Sequence, residues 1–476
     1  MLRAVIAAAV VCCSLSCQKT SPPDPNAHPG AGDVAAGFFI DVTNVERSIP
    51  SNFTGLSFEA GALPNPGYFN DSNTIFINLI RGLGQGVIRV GGNTVDRTPW
   101  VANAAPGVNL NKVITDGDID RFFQFAGATG WKVMFGLNLG TGTPRYAALE
   151  AAYVYRHYGA QLLSFEVGNE PDLYDNNGLR ERSYACTDLI KEFTVFTDSI
   201  WGRTPEAVFS GPTTATNTRS WLMPFVQEEH SRIQLVTQHY YKMGPASNPN
   251  LTIAELLQGN SAIISQARTM AAVAEPWHLP YRIAECNSVY GGGKTGISNT
   301  LASALWGLDF MFTLAEQGSA GVNFHGGGAG PYTPIAFSQG QFSPRPLYYG
   351  MLLFSKAAAG DLLAVTSDNS WLSDSLNLSV HAVKRQDGAI LITLINKDLS
   401  REAFVTLSLN HSGWRSASLL RLTGPSPAAD TAVVLGGAAV DINGHWAPRQ
   451  MENAALTNTG CTLKMPPYSA ALLVLQ

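Results

Sequence analysis

The sequence contains little charge and no run of basic residues. Only 14% of its 476 residues are charged, against roughly 25% in an average soluble protein, which excludes a disordered chain or a long coiled coil. Lys and Arg number 31 against 36 Asp and Glu, a net charge of −5. A weakly acidic chain without basic clusters is poorly suited to gripping nucleic acid along its length. We therefore expect no nucleic-acid partner.

Cysteine is also scarce. Three of the six cysteines fall within the first 17 residues, which leaves Cys186, Cys286 and Cys461. This odd number allows at most one disulfide, so no disulfide framework holds the fold together. The nine histidines form no His-x-x-x-His pair and no cluster with cysteine. We therefore expect no metal and no other cofactor.

The N-terminus predicts an export signal. Arg3 precedes an apolar stretch, residues 4–13, that is too short to span a bilayer. Cys17 lies in a loose bacterial lipobox, so residues 1–17 are predicted as a signal peptide of lipoprotein type, with simple cleavage and release as the alternative. Residues 18–36 predict a flexible tether, rich in Pro, Gly, Ala and Ser. We expect an exported protein that is periplasmic, secreted or anchored at the bacterial envelope through a lipidated Cys17.

From about residue 50, short apolar segments typical of buried parallel strands alternate with amphipathic segments typical of helices. Eight such units predict a (β/α)8 TIM barrel over residues 49–359, with a doubly wound open sheet as the alternative. The predicted strands are Gly55–Glu59, Val87–Gly91, Lys132–Leu137, Leu162–Val167, Val208–Gly211, Gln234–His239, Tyr281–Ala284 and Gly321–Phe324.

Beyond residue 360 the helical periodicity disappears. Short alternating segments, separated by turn signals such as Gln386-Asp387-Gly388, predict an antiparallel β-sandwich over residues 360–476. One further strand, residues 37–48, precedes the barrel and has no partner there. We expect this strand to pair with the C-terminal sandwich.

Two glutamates end predicted barrel strands. Glu170 follows the fourth strand in Gly168-Asn169-Glu170-Pro171, and Glu285 ends the seventh strand. The reacting groups of a (β/α)8 barrel lie at the C-terminal ends of its strands, so both carboxylates are expected at the barrel mouth. Such a pair suits the cleavage of a glycosidic bond, because one carboxyl can protonate the leaving oxygen while the other attacks the anomeric carbon.

Together these residues resemble glycoside hydrolase family 79, the clan A barrels that include β-glucuronidases and heparanases. The resemblance covers the chain from about Gly55 to the end. It rests on Arg89-Val90-Gly91-Gly92-Asn93 with Asp96, Gly168-Asn169-Glu170-Pro171, Gln238-His239-Tyr240-Tyr241, Ala284-Glu285, the loop Tyr290-Gly291-Gly292-Gly293 and a strand-eight loop reaching Tyr332. It implies retaining hydrolysis, with Glu170 as acid/base and Glu285 as nucleophile.

Other polar residues at the strand ends are expected to hold the sugar ring or to support the glutamates. Asn169 can hydrogen-bond the sugar 2-hydroxyl, and Glu59 and Asn93 are placed to bind ring hydroxyls. Tyr241, or its neighbour Tyr240, could donate to Glu285 and keep it ionised. Arg89 is interpreted as a buried structural charge that pairs with an acid of the mouth.

A glucuronide carries a carboxylate, which needs a receptor. The resemblance assigns this role to Tyr290, Tyr332 and the backbone amides of Gly291, Gly292 and Gly293, with Lys294 adding positive charge. Consecutive glycine amides can bind an anion without a formal charge of their own.

The sequence therefore predicts a retaining exo-β-glucuronidase acting on saccharides that contain glucuronic acid. An endo-β-glucuronidase of the heparanase type is the first alternative. Sulfated polymers call for Lys and Arg clusters along a cleft, and the sparse basic residues of this chain favour exo action. A non-catalytic carbohydrate-binding barrel is the second alternative, which the presence of both glutamates disfavours.

Overall fold

The computed structural model describes residues 34–103, 113–368 and 376–476. The predicted signal peptide, Cys17 and most of the predicted tether lie outside these residues. Strand β1 runs over Val34–Ser48 and so begins inside the segment predicted as tether. The reason is that Val34 and Ala36 are buried and pair with a strand of the C-terminal sheet. No helix in the described ranges has both the length and the apolarity needed to cross a bilayer.

Eight parallel strands close into a barrel, which confirms the (β/α)8 fold and excludes the open sheet. Each strand pairs with the next one along the chain, and the eighth pairs with the first. Four of the predicted strands, the fifth to the eighth, extend or shift at their ends, the seventh by five residues beyond Ala284. The barrel strands are β2 (Gly55–Glu59), β3 (Val87–Gly91), β4 (Lys132–Leu137), β5 (Leu162–Val167), β6 (Phe209–Thr214), β7 (Ile233–Met243), β8 (Tyr281–Val289) and β9 (Val322–Gly326).

At least one α-helix follows every barrel strand and packs outside it. The helices are α1 (Thr74–Gly82), α2 (Asp116–Thr129), α3 (Pro144–Tyr158), α4 (Cys186–Trp201), α5 (Met223–Glu229), α6 (Ile253–Leu257), α7 (Ser261–Ala274), α8 (Leu301–Glu316) and α9 (Pro346–Ala357). Two short strand pairs lie in the connections, Trp100–Val101 with Ile114–Thr115 and Ile335–Ser338 with Gln341–Pro344.

Local capping explains where the helices nearest the site begin and end. The side chains of Thr115 and Asp118 form a capping box at the start of α2, and α2 stops at Gly130, whose φ of +79° favours glycine. Helix α3 begins at Pro144, and Thr143 caps it by accepting a hydrogen bond from the amide of Tyr146. These caps set the length of the loops that lead from the barrel mouth.

The remaining strands form one continuous ten-stranded sheet that includes β1. Strand β1 pairs antiparallel with β10 (Asp361–Ser367) and parallel with β13 (Ala403–Leu409), so the strand that precedes the barrel is part of the C-terminal sheet. A parallel neighbour needs a long crossover connection, and here the whole barrel provides it. The other long strands are β10 (Asp361–Ser367), β11 (Leu378–Lys384), β12 (Ile390–Asn396), β13 (Ala403–Leu409), β14 (Ala417–Thr423), β15 (Gly460–Met465) and β16 (Ser469–Leu475), and two short strands, Val434–Leu435 and Glu452–Asn453, pair with β14.

Strand β12 shows how the sheet joins the barrel. Ile392 and Leu394 point into the core of the sheet domain, whereas Leu391 and Ile395 belong to the core that continues into the barrel. Alternate side chains of a strand point to opposite faces, so a strand that is covered on both sides is apolar throughout. The two parts of the chain thus share a continuous apolar interface.

A buried charged cluster also joins the two parts. His381 of β11 lies 2.5 Å from Oε1 of Glu316 and 3.3 Å from Oδ1 of Asp309 on α8. The Lys397 ammonium donates to Asp309 over 2.7 Å. The charges of this cluster therefore pair across the domain boundary.

Candidate active site

Glu170 and Glu285 meet at the mouth of the barrel. One carboxylate oxygen of each glutamate and one ring nitrogen of His239 all lie within 4.8 Å of one another. Glu170 follows β5, while Glu285 stands within β8, which continues to Val289 rather than ending at Ala284. The two residues that the sequence singled out from distant strands are thus direct neighbours in space.

Glu285 is surrounded by groups that favour its ionised form. The Arg89 guanidinium donates to Oε2 over 2.8 Å, and the Tyr241 hydroxyl donates to Oε1 over 2.8 Å. Burial by itself would raise the pKa of Glu285, but the positive charges of His325, His239 and Arg89, together with the Tyr241 hydrogen bond, outweigh it. The pKa of Glu285 therefore lies well below its ordinary value, and the residue is a carboxylate at neutral pH.

Arg89 connects residues from three different strands. Its buried guanidinium donates to Glu166 on β5 over 2.6 Å, to Glu285 on β8 and to Oδ1 of Asn169 over 2.9 Å. A fourth hydrogen bond goes to the Ser57 hydroxyl. The interpretation of Arg89 as a buried charge paired with a mouth acid is correct, and Glu166 is a second acid that the sequence analysis missed. Its signal was a charged residue inside an otherwise apolar strand.

Glu170 is held in an unusual backbone conformation. Its φ of +48° lies in the left-handed region, which costs a non-glycine residue free energy and is concentrated at functional sites. The amide of Glu170 donates to the carbonyl of Thr213 on β6, and Nδ1 of His239 lies 2.9 Å from its Oε1. These two contacts, one through the backbone and one through the side chain, hold the Glu170 carboxylate at the barrel mouth. His239 lies in the matched segment 238–241, yet the sequence analysis gave it no role.

Asp96 supports the loop that carries Asn169 and Glu170. Its carboxylate accepts hydrogen bonds from the amides of Asn169, Leu139 and Gly140. Burial raises the pKa of Asp96 to about 6, against the lowering effect of its Tyr174 and backbone partners. This residue positions the backbone of the site.

The two adjacent tyrosines of β7 have different surroundings. Tyr240 is buried, and its ring stacks on Phe310 at 5.5 Å. Tyr241 points to the mouth, where it contacts Glu285 and where its ring lies 6.4 Å from that of Tyr332. The sequence analysis left open which of the two tyrosines donates to Glu285, and the structure shows that it is Tyr241.

Glu59 and Asn93 lie on the other side of the mouth. Glu59 accepts hydrogen bonds from the amide and hydroxyl of Thr94, and its Oε1 is 3.6 Å from Nε2 of His325. His325 in turn lies 3.5 Å from Glu285 through Nδ1. Burial lowers the pKa of His325, but the two glutamates outweigh it and raise the pKa overall. His325 thus bridges Glu59 and Glu285, a role that sequence reasoning missed because His325 is distant from both along the chain.

Asn93 is exposed, and its Oδ1 lies 3.4 Å from Nδ2 of Asn169. This contact brings the two predicted ring-binding amides together. A cavity of about 520 Å³ opens beside Glu59, His325 and Tyr332 and is also lined by Phe58 and Phe337. Its volume lies within the range of small-molecule sites, roughly 300–1,000 Å³.

The glycine loop departs in part from its predicted use. Gly291, Gly292 and Gly293 all have φ between +84° and +95°, as the close turn requires. The amide of Gly293 already donates to the Val289 carbonyl over 3.1 Å, whereas the amides of Gly291 and Gly292 have no acceptor among the described residues. A Cβ on Gly293 would lie 2.6 Å from the amide nitrogen of Tyr332. Gly293 therefore makes room for Tyr332, and of the three predicted amides only those of Gly291 and Gly292 are not already donating within the described residues.

Tyr290 and Tyr332 lie on either side of Tyr241, with ring centroids 6.4 Å from it in both cases. Tyr290 is 47% exposed, so its hydroxyl is available to a ligand. The Lys294 ammonium donates one hydrogen bond to the carbonyl of Asn248, which uses one of its three donors.

The cluster of Glu170, His239 and Glu285 has the dimensions of a cation site. Its geometry suits proton transfer better, since Arg89 already neutralises Glu285 and His239 already contacts Glu170. Cys286, next to Glu285, is a buried free thiol whose pKa burial raises, so it is unreactive.

Comparisons with known proteins find relatives named β-glucuronidase and heparanase. No family model matches the chain. A β-glucuronidase of Aspergillus niger is 29% identical over 378 residues, which cover 68% of this chain and 69% of that protein. A β-glucuronidase of Neurospora crassa is 26% identical over 64% of both chains, and a heparanase of Gallus gallus is 26% identical over 55% of this chain and 51% of its own length.

The fold is similar to that of a 4-O-α-L-rhamnosyl-β-D-glucuronidase from Fusarium oxysporum, with a TM-score of 0.76, 20% identity, and coverage of 92% of this chain and all of that one. The barrel, its paired glutamates and the sequence relatives make this chain a glycoside hydrolase. The resemblance to family 79 is confirmed by the β-glucuronidases and heparanases to which it is similar.

Proposed function

We propose that the protein is a retaining exo-β-glucuronidase, which releases β-linked glucuronic acid from the non-reducing end of glycans or glycoconjugates. The observation that carries the proposal is the short distance between Glu170 and Glu285, whose carboxylate oxygens approach within 4.8 Å. Retaining glycosidases hold their carboxyl groups about 5–5.5 Å apart, whereas inverting enzymes leave about 6.5–9.5 Å for a water molecule. The close approach of the Glu170 and Glu285 carboxylates supports the retaining arrangement.

In the first step the Glu285 carboxylate attacks the anomeric carbon while Glu170 donates a proton to the leaving oxygen, so the glycosidic bond breaks and a glycosyl-enzyme ester forms. In the second step Glu170 takes a proton from water, whose oxygen attacks the anomeric carbon and releases Glu285. Arg89 and Tyr241 stabilise the Glu285 carboxylate, which is the nucleophile in the first step and the leaving group in the second. His239 orients Glu170 for both proton transfers.

The substrate class follows from the loop beside Glu285. Tyr290, Tyr332 and the amides of Gly291 and Gly292 offer hydrogen-bond donors to the C6 carboxylate of a glucuronide. The relatives named β-glucuronidase support the same substrate. A hydrogen bond to a charged group contributes about 1.5–3 kcal/mol, so two or three of them favour a glucuronide over the matching glucoside by several orders of magnitude in kcat/KM.

The heparanase relatives support endo cleavage as the second candidate. Exo action is preferred because the chain has few basic residues. A sulfated polymer would be held by Lys and Arg along a cleft.

Three substrates test the proposal: 4-nitrophenyl β-glucuronide, 4-nitrophenyl β-glucoside, and a heparan or hyaluronan polymer. We expect rapid hydrolysis of the glucuronide only, and proton NMR of the reaction should show the β-anomer of glucuronic acid first. Comparable rates on the two aryl glycosides would refute the carboxylate site. Cleavage within the polymer without action on the aryl glucuronide would replace exo with endo, and initial release of the α-anomer would refute retention.

A further inference from the structure

A second cavity, of about 490 Å³, lies against α3 and shares no lining residue with the cavity beside Glu59. Its walls include Trp100, Asn138, Tyr146 and Leu149. This volume is sufficient for a small molecule. Nothing in the proposed reaction uses this cavity.

Glu150 of α3 lines the cavity and has no partner. Glu150 is only 6% exposed. Among the described residues, its carboxyl group forms no hydrogen bond and no ion pair. Burial alone raises the pKa of Glu150 to about 8. Burying a carboxyl group without a partner costs free energy, so a buried, unpaired glutamate in a cavity indicates a ligand that comes from outside the chain.

The surroundings of Glu150 indicate the chemistry of that ligand. Two aromatic residues, Trp100 and Tyr146, line the same cavity, and aromatic faces attract cations. A further acid, Asp116 of α2, accepts a hydrogen bond from Nε1 of Trp100 over 3.1 Å. Glu150 and Asp116 together favour a cation over an anion in this cavity.

We propose that this cavity binds a small organic cation, an ammonium group on an apolar body, and that Glu150 is its counter-ion. The apolar body packs against Trp100, Tyr146 and Leu149, while the ammonium donates hydrogen bonds to the Glu150 carboxylate. The inference is independent of the proposed glucuronidase activity, because it uses none of the residues to which the proposed reaction assigns a role.

Isothermal titration calorimetry with benzylammonium, and with benzyl alcohol as its neutral analogue, tests the proposal on the full chain. We expect the wild type to bind benzylammonium and to bind benzyl alcohol at least tenfold more weakly. Because Glu150→Gln removes a charge-assisted hydrogen bond, it should weaken the binding of benzylammonium roughly ten- to hundredfold. Because this substitution removes an unpaired acid, its melting temperature should not fall below that of the wild type.

Two variants control the assignment. Asp120→Asn removes an acid of α2 that is outside the cavity lining and is bonded to Tyr153 and Tyr158, and it should leave the affinity within about threefold. Tyr146→Ala changes a side chain that is 60% exposed, so it should fold and bind benzylammonium several-fold more weakly. Equal affinity of the wild type and Glu150→Gln would place the probe elsewhere and overturn the proposal, as would a wild type that binds neither probe or both equally.

Discussion

The hydroxyl of Tyr241 donates a hydrogen bond of 2.8 Å to Oε1 of Glu285. This contact joins β7 to β8 and stabilises the ionised form of the proposed nucleophile. Together with Arg89, His239 and His325 it lowers the pKa of Glu285 although burial would raise it. Groups from several strands, rather than exposure to water, therefore keep the proposed nucleophile ionised.

Substituting Tyr241 by Phe should shift the acidic limb of the pH profile. Loss of the hydrogen bond raises the pKa of Glu285, so activity should fall at a higher pH as the solution is acidified, and kcat should drop about tenfold or more. Profiles of kcat/KM against pH measure this shift. Tyr240→Phe is the matched control, because Tyr240 packs on Phe310 and does not touch Glu285. An unchanged acidic limb in Tyr241→Phe would contradict the role.

Substitution of Glu170 and substitution of Glu285 should have different effects on the hydrolysis of substrates with good and with poor leaving groups. Glu170→Ala removes the proton donor, so hydrolysis of substrates with a poor leaving group should slow by about 10²–10⁴. Release of nitrophenol from the 4-nitrophenyl glucuronide should slow much less, because nitrophenol is a good leaving group. Glu285→Ala should abolish turnover of both. Rates on an alkyl and an aryl glucuronide measure the difference. Equal losses on the two substrates in Glu170→Ala would show that Glu170 is not the acid.

Tyr332→Phe should narrow the preference for glucuronide over glucoside about ten- to hundredfold, mainly by slowing the glucuronide. The physical reason is the loss of one hydroxyl donor to the C6 carboxylate. The ratio of kcat/KM for the two 4-nitrophenyl glycosides is the measurement, and Tyr155→Phe on α3 is a control outside the site. If both substrates slow equally, Tyr332 shapes the site without recognising the carboxylate.

The cluster of His381, Glu316 and Asp309 should make the stability of the protein depend on pH. Burial lowers the pKa of His381, but Glu316 and Asp309 outweigh it and raise the value to about 9. The stabilisation from protonated His381 is therefore complete below the ordinary pKa of about 6.5 and is lost as the pH rises through 9. His381→Gln should lower the melting temperature by several degrees at pH 6 and by clearly less at pH 9.5. His411→Gln, at an exposed position, is the control, and equal losses at both pH values would refute the linkage.

Local sequence determined most of the secondary structure. Four barrel strands, from Gly55–Glu59 to Leu162–Val167, occupy the predicted residues, because a parallel strand covered on both faces must be apolar and must end in polar or turn-forming residues. The same rule placed Glu170 and Glu285 at the mouth, since the residues that follow or end parallel strands meet at one edge of the barrel.

The tertiary structure alone decided which groups serve those glutamates. Arg89 reaches Glu166 and Glu285, which lie 77 and 196 residues away in the chain, and no periodicity of one segment contains such a pairing. The register of β7 against β8 places His239 opposite Glu285 and Tyr241 opposite Asn287. Tyr241 therefore lies on the same face as Glu285 and reaches it, whereas Tyr240 points to the other face, because side chains alternate along a strand. The position of β1 in the C-terminal sheet and the burial of Glu150 likewise depend on contacts between distant segments, which form only when the barrel closes and the sheet packs against it.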